Sequence, residues 1–228
     1  MTPAAAAPAK RRPGPGRPHA DLRRSLLDFA YAGPGPKRWH ITRLFMYRTL
    51  SDRLAAFDGA GKTCLCISAS KGLARIAGLR QAELLEATYP EASLLDLPQA
   101  EASLDFVVSD QVLEHVEGDP FRAIAESLRV LRPGGHAIHT TCFINEIHAA
   151  PGDFWRFTPR ALELLGTTAG AEVVLSGGWG NRAALEVIDL GFRMMPVPEH
   201  PDNPVYQIAM RQDPGFPITT WVILRKPG

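Results

Sequence analysis

Residues 104–143, LDFVVSDQVLEHVEGDPFRAIAESLRVLRPGGHAIHTTCF, decide the fold. The run 104–109 is apolar without polar alternation, the pattern of a strand covered on both faces of its sheet. Residues 120–131 place Ala123, Ile124, Leu128 and Leu131 on one side of a helix. Arg132-Pro133-Gly134-Gly135 then stops the helix and frees the backbone for a tight turn into a second apolar run, 137–142. Strand, helix and strand with short connections form the repeating unit of a parallel sheet.

The same alternation extends on both sides. Residues 63–67 read as a strand, 72–78 as a short helix and 82–88 as a second strand, followed by Tyr89-Pro90 and by Leu94-Leu95-Asp96-Leu97-Pro98. Downstream, 159–166 reads as a helix with proline at its start, where the missing N–H costs nothing, and 172–175 and 218–224 as strands. The expected class is α/β.

Three segments frame this core. Residues 1–36 are an Ala/Pro-rich leader with a basic cluster at Lys10, Arg11, Arg12 and Arg17, expected to be disordered or partly helical, with helical spacing over 21–31. Residues 37–61 are expected to form a helical segment packed on the core, and 62–228 the domain proper. Within it, 181–217, with six prolines, reads as an irregular insertion.

Bulk properties narrow the function. A length of 228 residues suits one domain, and a net charge of +1 supplies no field for nucleic acid or an anionic membrane. The apolar runs are too short to span a bilayer, and the first residues lack the apolar core of a secretory signal. Cys64 and Cys66 are two apart on a strand, which is not the spacing of a redox or zinc pair; with Cys142 they suit a reducing cytosol, so the expected location is cytoplasmic. His136 and His139, three apart on a strand, point to opposite faces, and with His148 they have no accompanying carboxylate cluster, so no metal site is expected.

The central block resembles that of class I S-adenosylmethionine-dependent methyltransferases, the methyltransferase type 11-like subgroup. Leu104-Asp105-Phe106, Val112-Leu113-Glu114-His115-Val116 and Arg129–Gly135 follow its "FDxVxxxxVLEHV…RVLKPGG" pattern, and Asp153–Pro159 (DFWRFTP) recurs in bacterial members. The resemblance covers roughly 62–165, with 218–226 as the last strand. It implies a Rossmann-like, mainly parallel seven-stranded sheet, helices on both faces, an antiparallel last strand, and S-adenosyl-L-methionine as cofactor.

Ligands of doubly wound sheets sit beyond the carboxyl ends of the strands. By order along the chain, the resemblance assigns Ser68, Ser70 and Gly72 to the first cofactor loop, Thr88 to the end of strand two, Asp96 and Leu97 to the adenine turn, and Ser109, Asp110 and Gln111 to the methionine part. Asp110 reads equally well as a helix cap. His148 and His115 are the candidate bases, and Trp155 and Arg156, in a polar and aromatic segment after the fifth strand, the candidate acceptor contacts. Another arrangement pairs Arg156 with Asp153 and packs Trp155 on the sheet.

Two departures stand out. Where the family has "VLDIGCGxG", this chain has Cys64-Leu65-Cys66-Ile67-Ser68-Ala69-Ser70-Lys71-Gly72, so a loop path different from the glycine path is expected, and Lys71 brings a charge that a sulfonium disfavours. After strand two the usual acid is replaced near Thr88, with Glu86 and Glu91 nearby and Pro90 opposing a helix. The expected function is methyl transfer to a small-molecule acceptor (sugar, lipid or secondary metabolite) at O or N. The alternative is an inactive methyltransferase-like binding or scaffold protein.

Overall fold

The computed structural model describes residues 24–25, 28–148 and 151–228. The basic cluster at Lys10–Arg17 and most of the leader lie outside the described residues. A six-stranded sheet forms, in the order β2-β1-β3-β4-β6-β5. Its strands are β1 (Thr63–Ile67), β2 (Glu83–Ala87), β3 (Leu104–Asp110), β4 (Leu131–Cys142), β5 (Glu172–Trp179) and β6 (Thr219–Arg225). β1 to β4 run parallel, and β6 runs antiparallel to both β4 and β5.

The expected seventh strand is absent among the described residues. A parallel crossover with its helix needs about a dozen residues or more, and residues 88–103 must also reach the next strand. Only an isolated bridge, Ser93 to Asp96, remains of it. β2 is therefore the sheet edge.

Alternation along the strands explains the two-sided core. Cys64, Cys66, Phe106, Val108, Ile138, Trp221 and Ile223 pack under α1 (Ile41–Arg53), α2 (Lys71–Ile76) and the 181–217 region. Leu65, Val107, Ala137, Val222 and Leu224 point the other way, toward α3 (Pro120–Val130) and α4 (Pro159–Thr168). Cys64 and Cys66 do share a face, both as buried free thiols, and the hydrogen bond with Cys66, reinforced by burial, pushes the Cys64 thiol well up.

α3 is capped by Asp119, whose side chain accepts from Phe121 N, and α4 by Thr158, which accepts from Ala161 N. The Arg-Pro-Gly-Gly turn is already part of β4, with Leu131 beside Leu104. A Cβ on Gly135 would stand 2.9 Å from the backbone oxygens of Asp105 and Arg132, so the turn leaves no room for a side chain.

The 181–217 region is not irregular. It holds α5 (Arg182–Val187), a π turn at Ile188–Phe192 and α6 (Pro204–Met210). Its prolines start α6 and shape the connections rather than blocking helices, because Asn203 caps α6 ahead of Pro204. Residues 28–31 are helical and dock on this region: Tyr31 is buried with its hydroxyl on the Phe192 carbonyl, and Asn203 donates to Ala30 O.

Candidate active site

The first loop bends through two residues that carry a Cβ. Ser68 (φ 46°) and Ala69 (φ 62°) both take left-handed conformations with no glycine between them. Each costs on the order of 1 kcal/mol for a residue with a Cβ. Pinning at both ends holds them there. Ser68 N donates to Ala87 O at 2.9 Å, while the Ser70 hydroxyl donates to Ile67 O and accepts from Asp110 N at 2.8 Å.

Ser70 is thus a buried brace between the ends of β1 and β3, with no hydroxyl left for a ligand. Lys71 is paired with Glu86 at 2.6 Å, so its charge is met within the chain. A Cβ on Gly72 would meet open space, so packing does not explain this glycine.

A cleft of about 470 Å³ opens beyond the ends of β1, β2 and β3. Of the residues expected to hold cofactor, Ser68 and Gln111 line it. Tyr89, Ser93, Leu94 and Leu95 form another wall, and Val112, His115 and Val116 a third. No lysine or arginine is among its lining residues.

The other expected cofactor residues do not line this cleft. Ser109 is buried, its hydroxyl 2.7 Å from His139 Nδ1, and burial lowers His139 to about 4. Asp110 accepts from the Tyr47 hydroxyl and, at 2.6 Å, from Thr140 Oγ1. Leu97 is buried, with its N–H on Glu126 and its carbonyl on Arg129. Thr88 and Asp96 are exposed, and the Asp96 N–H is turned back onto Ser93 O. Short connections and internal hydrogen bonds took these groups, which spacing along the chain does not reveal.

Gln111 is held in a left-handed conformation (φ 58°) by bonds from its N–H to Thr140 O and from its amide to Thr140 Oγ1. The 3₁₀ turn Leu113–His115 follows. Its Glu114 carbonyl accepts from the N–H groups of Phe154 and Trp155, and Trp155 Nε1 donates to Val116 O at 2.9 Å. The 143–157 segment is strapped down on this turn.

Asp153 organises that segment. Its carboxylate accepts from the His148 N–H at 2.8 Å and from both terminal nitrogens of Arg156. The Arg156 guanidinium, helped by that N–H, holds the Asp153 carboxyl well below the usual carboxylate range. Arg156 is committed to this pair and to the carbonyls of Trp155 and Glu146, the arrangement weighed against an acceptor contact. Trp155 is 37% exposed and stacks on Phe157 at 6.0 Å.

His115 and His148 meet edge to face, 4.8 Å between ring centroids. Glu114, fully buried, lies beside them; its Oε2 accepts from Thr141 Oγ1 at 2.8 Å. Sequence reasoning missed this role for Glu114. Its place next to His115 in the Val112–Val116 block was the available signal. Of the three histidines first weighed for a metal, His136 and His139 lie apart from His148: His136 packs against Phe57 and Phe106, and His139 is buried against Ser109.

The profile of a family described as "Methyltransferase domain" matches residues 51–139. A protein of Mycolicibacterium smegmatis described as a probable S-adenosylmethionine-dependent methyltransferase is 32% identical over 172 residues, 66% of either chain. The chain belongs to the class I S-adenosylmethionine-dependent methyltransferases.

It spans about two thirds of that relative, and 19% of an uncharacterized methyltransferase of Mycobacteroides abscessus that is 51% identical over 51 residues. Among solved structures, the fold is similar to a complex of the Haloferax volcanii Trm112 methyltransferase activator with a methyltransferase (TM-score 0.53, 15% identity, 81% of this chain and 90% of that one). It is also similar to phosphoethanolamine N-methyltransferase 2 of Haemonchus contortus, solved with S-adenosyl-L-methionine (TM-score 0.52, 13% identity, 90% of this chain and 60% of that one).

As a methyltransferase cleft, the geometry fits the cofactor. Its volume falls in the usual range of about 300–1,000 Å³ for small-molecule sites. Its walls join apolar side chains to a few polar ones, and the neutralised Lys71 leaves a sulfonium unopposed.

Proposed function

We propose that the protein transfers a methyl group from S-adenosyl-L-methionine to a small-molecule acceptor, a sugar, lipid or secondary metabolite, at O or N. The observation that carries this reading is His115, which lines the cofactor cleft while its ring meets His148 of the 143–157 segment. Two candidate bases therefore stand where an acceptor would approach the cofactor.

The cofactor, when bound, supplies a methyl group already activated on a sulfonium, so the protein has mainly to align the reactants and take a proton. Ser68 and Gln111 are the polar groups that would hold it, with Leu94, Leu95 and Val112 as apolar walls. Backbone groups left by the positive-φ turn at Ser68 and Ala69 add to this. His115 or His148 accepts the acceptor's proton. Trp155 offers the acceptor an aromatic surface, and Arg156 positions His148 by holding Asp153. Ser70, Ser109 and Asp110 shape the rim rather than touch the ligand.

Calorimetric titration of S-adenosyl-L-methionine and S-adenosylhomocysteine into the full chain tests the reading. Binding to the wild type, weakened about tenfold in Gln111→Ala through loss of a polar contact, is expected. Absence of heat and of thermal stabilisation at millimolar ligand would leave the binding or scaffold alternative standing. No helix of the described residues is long and apolar enough to cross a membrane.

A further inference from the structure

Glu114, His115 and His148 each offer one possible ligand atom, all within 4.8 Å of one another. Three further features make this more than proximity. The first is an unpartnered buried oxygen. Glu114 is 0% exposed, yet its Oε1 has no hydrogen-bond partner among the described residues. A buried carboxylate oxygen without a donor is costly, and a cation is one of the few ways to satisfy it.

The second is the tautomer of His115. Its Nδ1 contacts the Gly152 carbonyl, which only accepts, so the proton sits on Nδ1 and Nε2 keeps its lone pair. Metal-binding histidines are commonly fixed this way, by a second hydrogen bond to oxygen.

The third concerns His148. Its Nδ1 meets one donor, the Asn145 amide at 2.9 Å, and two acceptors, Asp153 Oδ2 and Glu146 O, both at 3.2 Å. An ion on Nε2 needs the proton on Nδ1, where Asp153 and Glu146 can accept it once the Asn145 amide turns away.

We propose that Glu114, His115 and His148 form a binding site for a divalent transition-metal ion of the zinc type. Two imidazoles and one carboxylate suit such an ion rather than calcium or magnesium, which prefer oxygen ligands. Three protein ligands leave a coordination position open. That position adjoins the cofactor cleft, because His115 lines it.

Donor atoms around zinc, with bonds of about 2.1 Å, stand roughly 3.4 Å apart, so the set must tighten on loading. His148 is the ligand with room to move: its side chain is 41% exposed. Ion binding does not depend on the methyl-transfer reading. The ion's use does rest on it, with the two imidazoles then acting as ligands in place of bases: an acceptor hydroxyl at the open position would lose its proton to water more readily, its oxygen held beside the methyl group.

The test strips the full chain with a chelator and titrates Zn²⁺ by calorimetry, with metal content measured after gel filtration and Mg²⁺ as the control cation. One equivalent of Zn²⁺ is expected in the wild type, with no comparable Mg²⁺ uptake. Affinity is expected to fall more than about 100-fold in His148→Ala and in Glu114→Gln, each of which removes a direct ligand. Circular dichroism checks their folding, and His148→Ala alone decides if Glu114→Gln does not fold.

No stoichiometric zinc in the folded wild type overturns the site. So does unchanged affinity in either folded variant, which would move the ion elsewhere, for example to Cys64 and Cys66. A Co²⁺-loaded sample separates these, since thiolate ligation gives intense near-ultraviolet absorption that a nitrogen and oxygen site lacks. Cofactor binding without zinc uptake defeats only the metal site. Zinc uptake without cofactor binding defeats only the methyl-transfer reading.

Discussion

The rim built by β1, β2 and β3 and the rim built by β3, β4 and residues 143–157 serve one cleft but are held in different ways. On the first, small residues and backbone bonds do the work: Ser68 and Ala69 bend through left-handed conformations, Ser70 braces the strands, and β2 is the edge, with no strand beyond it among the described residues. On the second, charged and aromatic side chains form a connected network from Glu114 through His148 and Asp153 to Arg156. On both rims bonds join residues far apart in sequence, Ser70 with Asp110 on the first and Glu114 with Thr141 on the second. The second adds a charged pair, Asp153 with Arg156, whose loss would spread further.

The largest expected effect tests the seam between the two. His139, on β4, is kept neutral by burial, with a pKa lowered to about 4 from 6.5. The unfolded chain therefore binds more protons between those values, and stability present above pH 6.5 is lost as pH falls toward 4. The loss amounts to roughly 3 kcal/mol. Denaturant melts across this range should show a loss about 3 kcal/mol larger in the wild type than in His139→Gln. His40, also lowered to about 4 by burial and then by Arg43, contributes equally to both proteins. Equal acid sensitivity of the two would mean that His139 is charged or solvated.

Next, Asp153→Ala removes the acceptor for the His148 N–H and the partner of Arg156, at an expected cost of about 2–3 kcal/mol. Chemical denaturation measures it. Faster proteolysis within 143–157 should accompany the loss, and an unchanged cleavage rate would mean that the strap on Glu114 O suffices alone.

On the first rim, Ser70→Ala leaves Asp110 N without its acceptor in a buried place and should cost about 2 kcal/mol. The smallest change runs the other way. Ser68→Gly and Ala69→Gly each relieve a positive φ and should raise stability by about 0.5–1 kcal/mol, the entropy of the added glycine offsetting part of the relief. A fall in melting temperature for both would show that side-chain contacts, not backbone geometry, hold this loop.

Much of the fold was legible because local signals agreed. Apolar runs at Leu104–Asp110 and Thr63–Ile67 lack polar alternation, and both became central strands. Asp119, Thr158 and the Arg132–Gly135 turn carry their instructions within three or four residues. The seventh strand was misjudged because a family pattern was extended over a connection too short for it. The 181–217 region was misjudged because prolines were counted as breakers, when Pro204 begins a helix behind its cap.

The site was less legible. Order along the chain pointed to the strand ends where the cleft opens, yet it could not tell Ser68, which lines the cleft, from Ser70, two residues on, which is buried. That distinction depends on Asp110 N, forty residues away.

The sequence alone determined the α/β sheet and the strand ends where the cleft opens, since periodicity, caps and turns act over a few residues, and its motif block carried the resemblance to the family. Only the tertiary structure decided which side chains are free. Each hydroxyl, carboxylate or imidazole is either satisfied inside the chain or left open, and its partner is set by strand neighbours and a segment returning from elsewhere. Ser109 and Asp110 were taken in this way, and the Glu114 oxygen was left beside His115 and His148.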